Sequence, residues 1–96
     1  MKSADFGAYI RAKREEKGIP QRIVAHRLNI DTSTLSKIEL GERQVTIEMI
    51  KGFSEILETD FKELQVKFIS EKIVNDYSNQ PFFSEAIENV ISKIKQ

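Results

Sequence analysis

His26 is the only histidine in the chain, and no cysteine accompanies it. Disulfides, thiolate metal sites and cysteine nucleophiles are therefore excluded. A lone imidazole with no second ligand reads as a surface or packing residue. Paired acids occur at Glu15-Glu16 and at Glu55 and Glu58. Both sets sit among lysines and arginines on helical segments, which marks solvated faces rather than a hydrolytic pair. The serines lack a His-Asp context, and there is no glycine-rich phosphate loop. No catalytic constellation emerges, so we expect no enzyme, no metal site and no cofactor. Thr32, Ser33, Ser36 and Lys37 share one side of a helix, with donors and acceptors facing outward. That pattern suits a hydrogen-bonding surface or a plain solvated face.

The elements that must hold these four residues are two short helices and a turn. The first runs from about Gln21 to Leu28, with Ile23, Val24, Ala25 and Leu28 apolar. Asn29-Ile30-Asp31 makes the turn. The second runs from about Thr32 to Leu40, with Leu35 and Ile38 inward. Asp31 can accept the backbone N–H groups left free at a helix start. Gly41 can take the left-handed conformation just past a helix end. Helices this short cannot bury themselves, so flanking segments must complete a core.

Those segments are also helical in pattern. After four frayed residues, Asp5 is expected to cap a helix over about Phe6 to Lys17, ended by Gly18, with Phe6, Tyr9, Ile10 and Lys13 at helical spacing. Pro20 stands near the next helix start, where a missing N–H costs nothing. A loop spans Glu42 to Val45. Thr46 is expected to cap a fourth helix carrying Ile47, Ile50, Phe53, Ile56 and Leu57, with Glu48 in its first turn. Gly52 within it costs about 1 kcal/mol relative to Ala, which close helix packing would justify. Thr59-Asp60 opens a fifth helix. Leu64, Phe68, Ile69, Ile73 and Tyr77 extend its pattern to about Asp76, and Ser78-Asn79-Gln80-Pro81 breaks it. A final amphipathic helix, about Phe82 to Lys95, carries Phe83, Ile87, Val90, Ile91 and Ile94. No strand pattern is visible.

Taken in order, Ile10 with Arg14, Gln21, Val24-Ala25, Leu28, Ile30, Ser33-Thr34, Leu35-Ser36, Ile38-Glu39, Gly41 and Thr46-Ile47 resemble the lambda-repressor-like (Xre/Cro-type) helix-turn-helix family without gaps. The match covers about residues 6 to 61, or roughly two-thirds of the chain. It implies an all-α fold: a five-helix DNA-binding domain over residues 1–64 with a helical C-terminal extension over 65–96. It also implies that the helix from Thr32 enters the major groove of double-stranded DNA. Thr32, Ser33, Ser36 and Lys37 would then read bases. Gln21 and Arg43, and more weakly Arg22 and Thr46, would contact phosphates. Arg14 and Glu39 match a family pair that joins the first helix to the base-reading helix. Family members commonly carry Ser or Thr where this chain has Pro20, so this cap departs from the pattern.

Charge supports a local footprint. The formal net charge is zero, which alone predicts modest non-specific DNA affinity. From Arg11 to Lys37, however, seven basic residues face three acidic ones, whereas from Ile38 to Asp60 two face six. With 96 residues, one small domain plus an appended element is expected. No apolar run spans a membrane, the N-terminus lacks a signal-peptide core, and a cytoplasmic location is the expectation. The resemblance implies a sequence-specific transcriptional regulator, a repressor or autoregulator such as a restriction–modification controller or phage-type repressor. It would bind a two-fold symmetric operator as a homodimer joined through Phe83, Ile87, Val90, Ile91 and Ile94. The alternative is an antitoxin-like or co-regulator module whose C-terminal helices hold a protein partner.

Overall fold

The computed structural model describes residues 3–96, with side chains from Phe6 onward. Among them are six helices and no strand: α1 Ser3–Glu16, α2 Gln21–Arg27, α3 Thr32–Glu39, α4 Met49–Ile56, α5 Phe61–Tyr77 and α6 Phe83–Ile94. The fold is all-α. α1 starts earlier than the sequence pattern suggests. Ser3 and Ala4 are helical and Asp5 lies inside the helix, so Asp5 does not cap it. Its side chain, like Met1 and Lys2, lies outside the described residues.

One local device ends each of the first four helices. The residue two past the helix end adopts positive φ: Gly18 at 67°, Asn29 at 59°, Gly41 at 80° and Glu58 at 55°. The next amide then reaches back to the third-last helical carbonyl: Ile19 to Arg14, Ile30 to Ala25, Glu42 to Lys37 and Thr59 to Ser54, at 2.8–3.0 Å. These are Schellman closures, which pair carbonyls that the helix leaves open. Glycine and asparagine tolerate the left-handed backbone, but a side chain such as that of Glu58 is strained there. Glu58 contributes only an exposed ion pair with Lys17 at 3.4 Å, a contact of small worth. Glu58→Gly should therefore stabilise the protein by about 1 kcal/mol, read as a higher midpoint in urea. An unchanged or lower midpoint would contradict the strain.

The starts are less uniform. Asp31 and Asp60 cap α3 and α5 by accepting the Thr34 and Glu63 amides, each at 2.9 Å. Thr46 does not cap α4. That helix begins at Met49 with no side-chain cap, and Thr46 contributes its carbonyl, which accepts the Met49 amide at 3.0 Å. A turn at Ile47-Glu48 precedes the helix and leaves Ile47 exposed.

The core draws on all five leading helices. Phe6 and Ile10, Val24 and Ala25, Leu35 and Ile38, Ile50, Phe53 and Leu57, and Leu64 and Phe68 are buried, with Val45 closing one side. Hydrophobic burial of this kind is the main force holding such a domain together. Two glycines mark close helix approaches. A Cβ on Gly7 would lie 2.1 Å from the Ile38 carbonyl oxygen of α3, and one on Gly52 would lie 2.5 Å from Leu28 Cδ2.

The last two helices depart from the sequence expectation. Leu64, Phe68, Ile69, Ile73 and Tyr77 do not form one face. At about 100° per residue, Val66, Ile69, Ile73 and Tyr77 fall opposite Leu64 and Phe68, and all four are exposed. α5 thus has two apolar sides and buries one. It runs unbroken through residue 64 to Tyr77, so the boundary expected at 64/65 falls inside a helix. α6 buries no residue.

Candidate nucleic-acid interface

The α2–turn–α3 unit presents α3 to solvent along one side. Thr32, Ser33 and Lys37 are exposed, Ser36 is half-buried, and Leu35, Ile38 and Glu39 face the core. Asp31 organises the first turn. Its Oδ1 accepts the Thr34 amide at 2.9 Å and the Ser33 hydroxyl at 3.1 Å. The Thr34 side chain and amide, then Ser33, hold the Asp31 carboxyl below the usual carboxylate range, and nearby Arg43 acts in the same direction. Because this pKa is depressed on folding, the cap contributes fully above the unfolded value of about 3.9. The contribution is lost as pH falls through the lower folded value. An NMR titration should place the Asp31 midpoint below that of an unfolded peptide. A midpoint at or above the peptide value would rule out the charged cap.

Behind α3 lies a buried polar knot. Arg14 grips Glu39 with two bonds, Nε to Oε2 at 2.7 Å and Nη2 to Oε1 at 3.0 Å. Its Nη1 also donates to the Ile19 carbonyl at 3.0 Å. Gln21 Nε2 donates to the same Glu39 Oε1 at 3.0 Å. The knot ties α1, the α1–α2 connection, α2 and α3 together. The Glu39 bond holds Arg14 more firmly protonated than usual, against the opposing effect of burial. Gln21 is thus bonded inward through one amide hydrogen, leaving its carbonyl oxygen and second hydrogen for other partners. A single sequence shows no sign of this inward bond.

Charge is distributed differently in space than along the chain. Arg11 pairs with Glu15, Lys13 with Glu16, Lys17 with Glu58 and Arg27 with Glu55. The last two pairs join segments that looked oppositely charged in sequence. Among the described residues up to Glu48, the cations without a carboxylate partner are Arg22, Lys37 and Arg43. Arg22 opens α2, Lys37 is on the outward side of α3, and Arg43 is in the loop that folds back on α3, its amide 3.3 Å from the Lys37 carbonyl. Thr46 is exposed farther along that loop.

Residues 10–64 match the helix-turn-helix family HTH_3. The chain belongs to the lambda-repressor-like helix-turn-helix family. Members of that family are DNA-binding transcriptional regulators, and this helix-turn-helix protein is one of them. Solved structures agree on the fold. The restriction-modification controller protein C.AhdI from Aeromonas hydrophila is 29% identical over 65% of this chain and 90% of its own, with a TM-score of 0.59. Two structures of the clp gene regulator ClgR from Corynebacterium glutamicum are similar in fold. One is 22% identical over 72% of this chain and 90% of its own, with a TM-score of 0.60. The other is 17% identical over 96% of this chain and 87% of its own, with a TM-score of 0.61. Comparison with curated protein sequences finds no match. In this helix-turn-helix protein, no helix among the described residues is long and apolar enough to cross a membrane, and no group of His, Asp and Glu there could hold a metal ion.

Proposed function

We propose that the protein is a sequence-specific repressor or autoregulator that binds a two-fold symmetric operator as a homodimer. The observation that carries this reading is that Lys37 on the outward side of α3, Arg22 in the first turn of α2 and Arg43 in the loop after α3 have no carboxylate partner. α3 enters the major groove, with Thr32, Ser33, Ser36 and Lys37 against base edges. Arg22, Arg43, Thr46 and the free half of the Gln21 amide hold phosphates, which set register rather than sequence choice. Dimerisation through α6, with Phe83, Ile87, Val90, Ile91 and Ile94 at the contact, joins two domains and raises affinity through effective concentration.

The Asp31 contact refines the role of Ser33. Its hydroxyl proton is committed to Asp31, so Ser33 meets a base as an acceptor. The matching groups in the major groove are the amino groups of adenine and cytosine. Ser33→Ala should relax the preference for such a base by about five-fold, the value of one hydrogen bond. Lys37→Ala should weaken specific binding more than non-specific binding. Unchanged discrimination in both variants would remove α3 as the reader.

Selection of bound sequences from a random DNA pool tests the whole reading. A two-fold symmetric motif is expected. Arg22 and Arg43 in two protomers predict an affinity that falls with a log–log salt slope of roughly −4. Absence of enrichment, with a folded protein, would overturn it. A second reading, an antitoxin-like or co-regulator module, is favoured by the open apolar side of α6. A monomer in light scattering would support that alternative.

A further inference from the structure

Two apolar surfaces of this chain lie open, and neither covers the other. One is α6, where Phe83, Ile87, Val90, Ile91 and Ile94 share a side: Phe83 and Ile87 are half-buried, and Val90, Ile91 and Ile94 are exposed. The other is a groove of about 560 Å³ between the Gln44–Glu48 loop and α5, with Val45, Ile47, Phe68, Ile69 and Ile73 along it. No α6 residue lines this groove. The chain is elongated to match, 42 × 26 × 22 Å with a radius of gyration of 14.9 Å. A compact chain of this length would have about 12.5 Å. We propose that two copies exchange α6, each protomer's final helix lying in the groove of its partner.

The proposal rests on the dimer reading above and deepens it. Anchors at Phe83, Ile87, Val90 or Ile91, and Ile94 have the spacing with which a helix fills an apolar groove. Ile47, Ile69 and Ile73 in the groove and Val90, Ile91 and Ile94 on α6 are each 36–75% exposed, apolar area of the kind a stable complex buries at roughly 800 Å² per partner. Reciprocal exchange covers both surfaces in both copies and closes with two-fold symmetry. Pairing α6 with α6 would leave the grooves open. On α6 Glu85 and Glu88 precede Lys93 and Lys95, and the groove is lined by Glu48 and by Lys72, which pairs with Asp76. The loop that walls the groove follows Arg43 directly, so a seated α6 braces the loop that holds phosphate.

The chain has no cysteine, so introduced thiols are the only ones. Ile73 is 36% exposed and Ile91 47%, and neither substitution disturbs the five-helix core. Equal amounts of Ile73→Cys and Ile91→Cys protein, mixed and mildly oxidised, should give the mixed disulfide as the main product. Dominant Ile91→Cys homodisulfide would mean α6 pairs with α6. In the double variant, an internal disulfide that forms independently of protein concentration would mean α6 covers its own groove. A dimer with no mixed product, or with either of those products, overturns the exchange and leaves the dimer intact. A monomer in light scattering overturns both. Ile91→Glu should shift the wild-type mass from dimer to monomer with helix content retained, and a persistent dimer would count against the proposal.

Discussion

Arg14→Ala is expected to destabilise the protein by about 3–5 kcal/mol, the usual cost of stranding one member of a buried ion pair. The Glu39 side chain is only 2% exposed and that of Arg14 11%, so removing Arg14 leaves a carboxylate in the core with Gln21 as its one remaining donor. For a domain of this size each kcal/mol is worth about 4–8 °C in melting temperature, so thermal unfolding should shift by well over 10 °C. The double replacement Arg14→Met with Glu39→Met should be far milder than either single change, because apolar side chains of similar volume carry no desolvation cost. A single variant that melts within a few degrees of the parent would show that solvent reaches the pair. Because the pair seats α3 against α1, its loss should also weaken specific DNA binding in whatever fraction remains folded.

Gly7→Ala should cost about 2–3 kcal/mol, although alanine is the better helix former by about 1 kcal/mol. The added Cβ would meet a backbone oxygen, Ile38 O, at 2.1 Å. Backbone cannot rotate away, so α1 must lift off α3, loosening both the Arg14–Glu39 bonds and the core contacts of Phe6 and Ile10. Gly52→Ala is the matched comparison. Its Cβ meets the tip of the Leu28 side chain at 2.5 Å, which can turn aside, and the propensity gain offsets the crowding. The net change there should stay within about 1 kcal/mol. Equal melting temperatures for the two variants would contradict this account.

Local chemistry was legible along the chain because it depends on neighbours in sequence. Asp31, Gly18, Gly41 and the Asn29 turn announce themselves by residue type, and the structure uses each where the pattern suggests. The outward set Thr32, Ser33 and Lys37 follows from helical period alone, with Ser36 sinking halfway into the surface. Thr46 shows the limit. It has the right side chain for a cap, but a turn at Ile47-Glu48 delays the helix. Glu58 shows the converse, since nothing in its type signals a left-handed backbone.

By itself, then, the sequence determined the all-α class, the α2–turn–α3 unit and the polar side of α3, since periodicity and caps act within a few residues, while the family followed from its resemblance at ordered positions and the match over residues 10–64. Tertiary structure alone decided which groups meet across the chain. It turned Gln21 toward Glu39, pressed Gly7 against the Ile38 carbonyl and neutralised Lys17 and Arg27 with distant glutamates. It also separated the two apolar sides of α5, because a helix shows both in sequence while the core has room for only one.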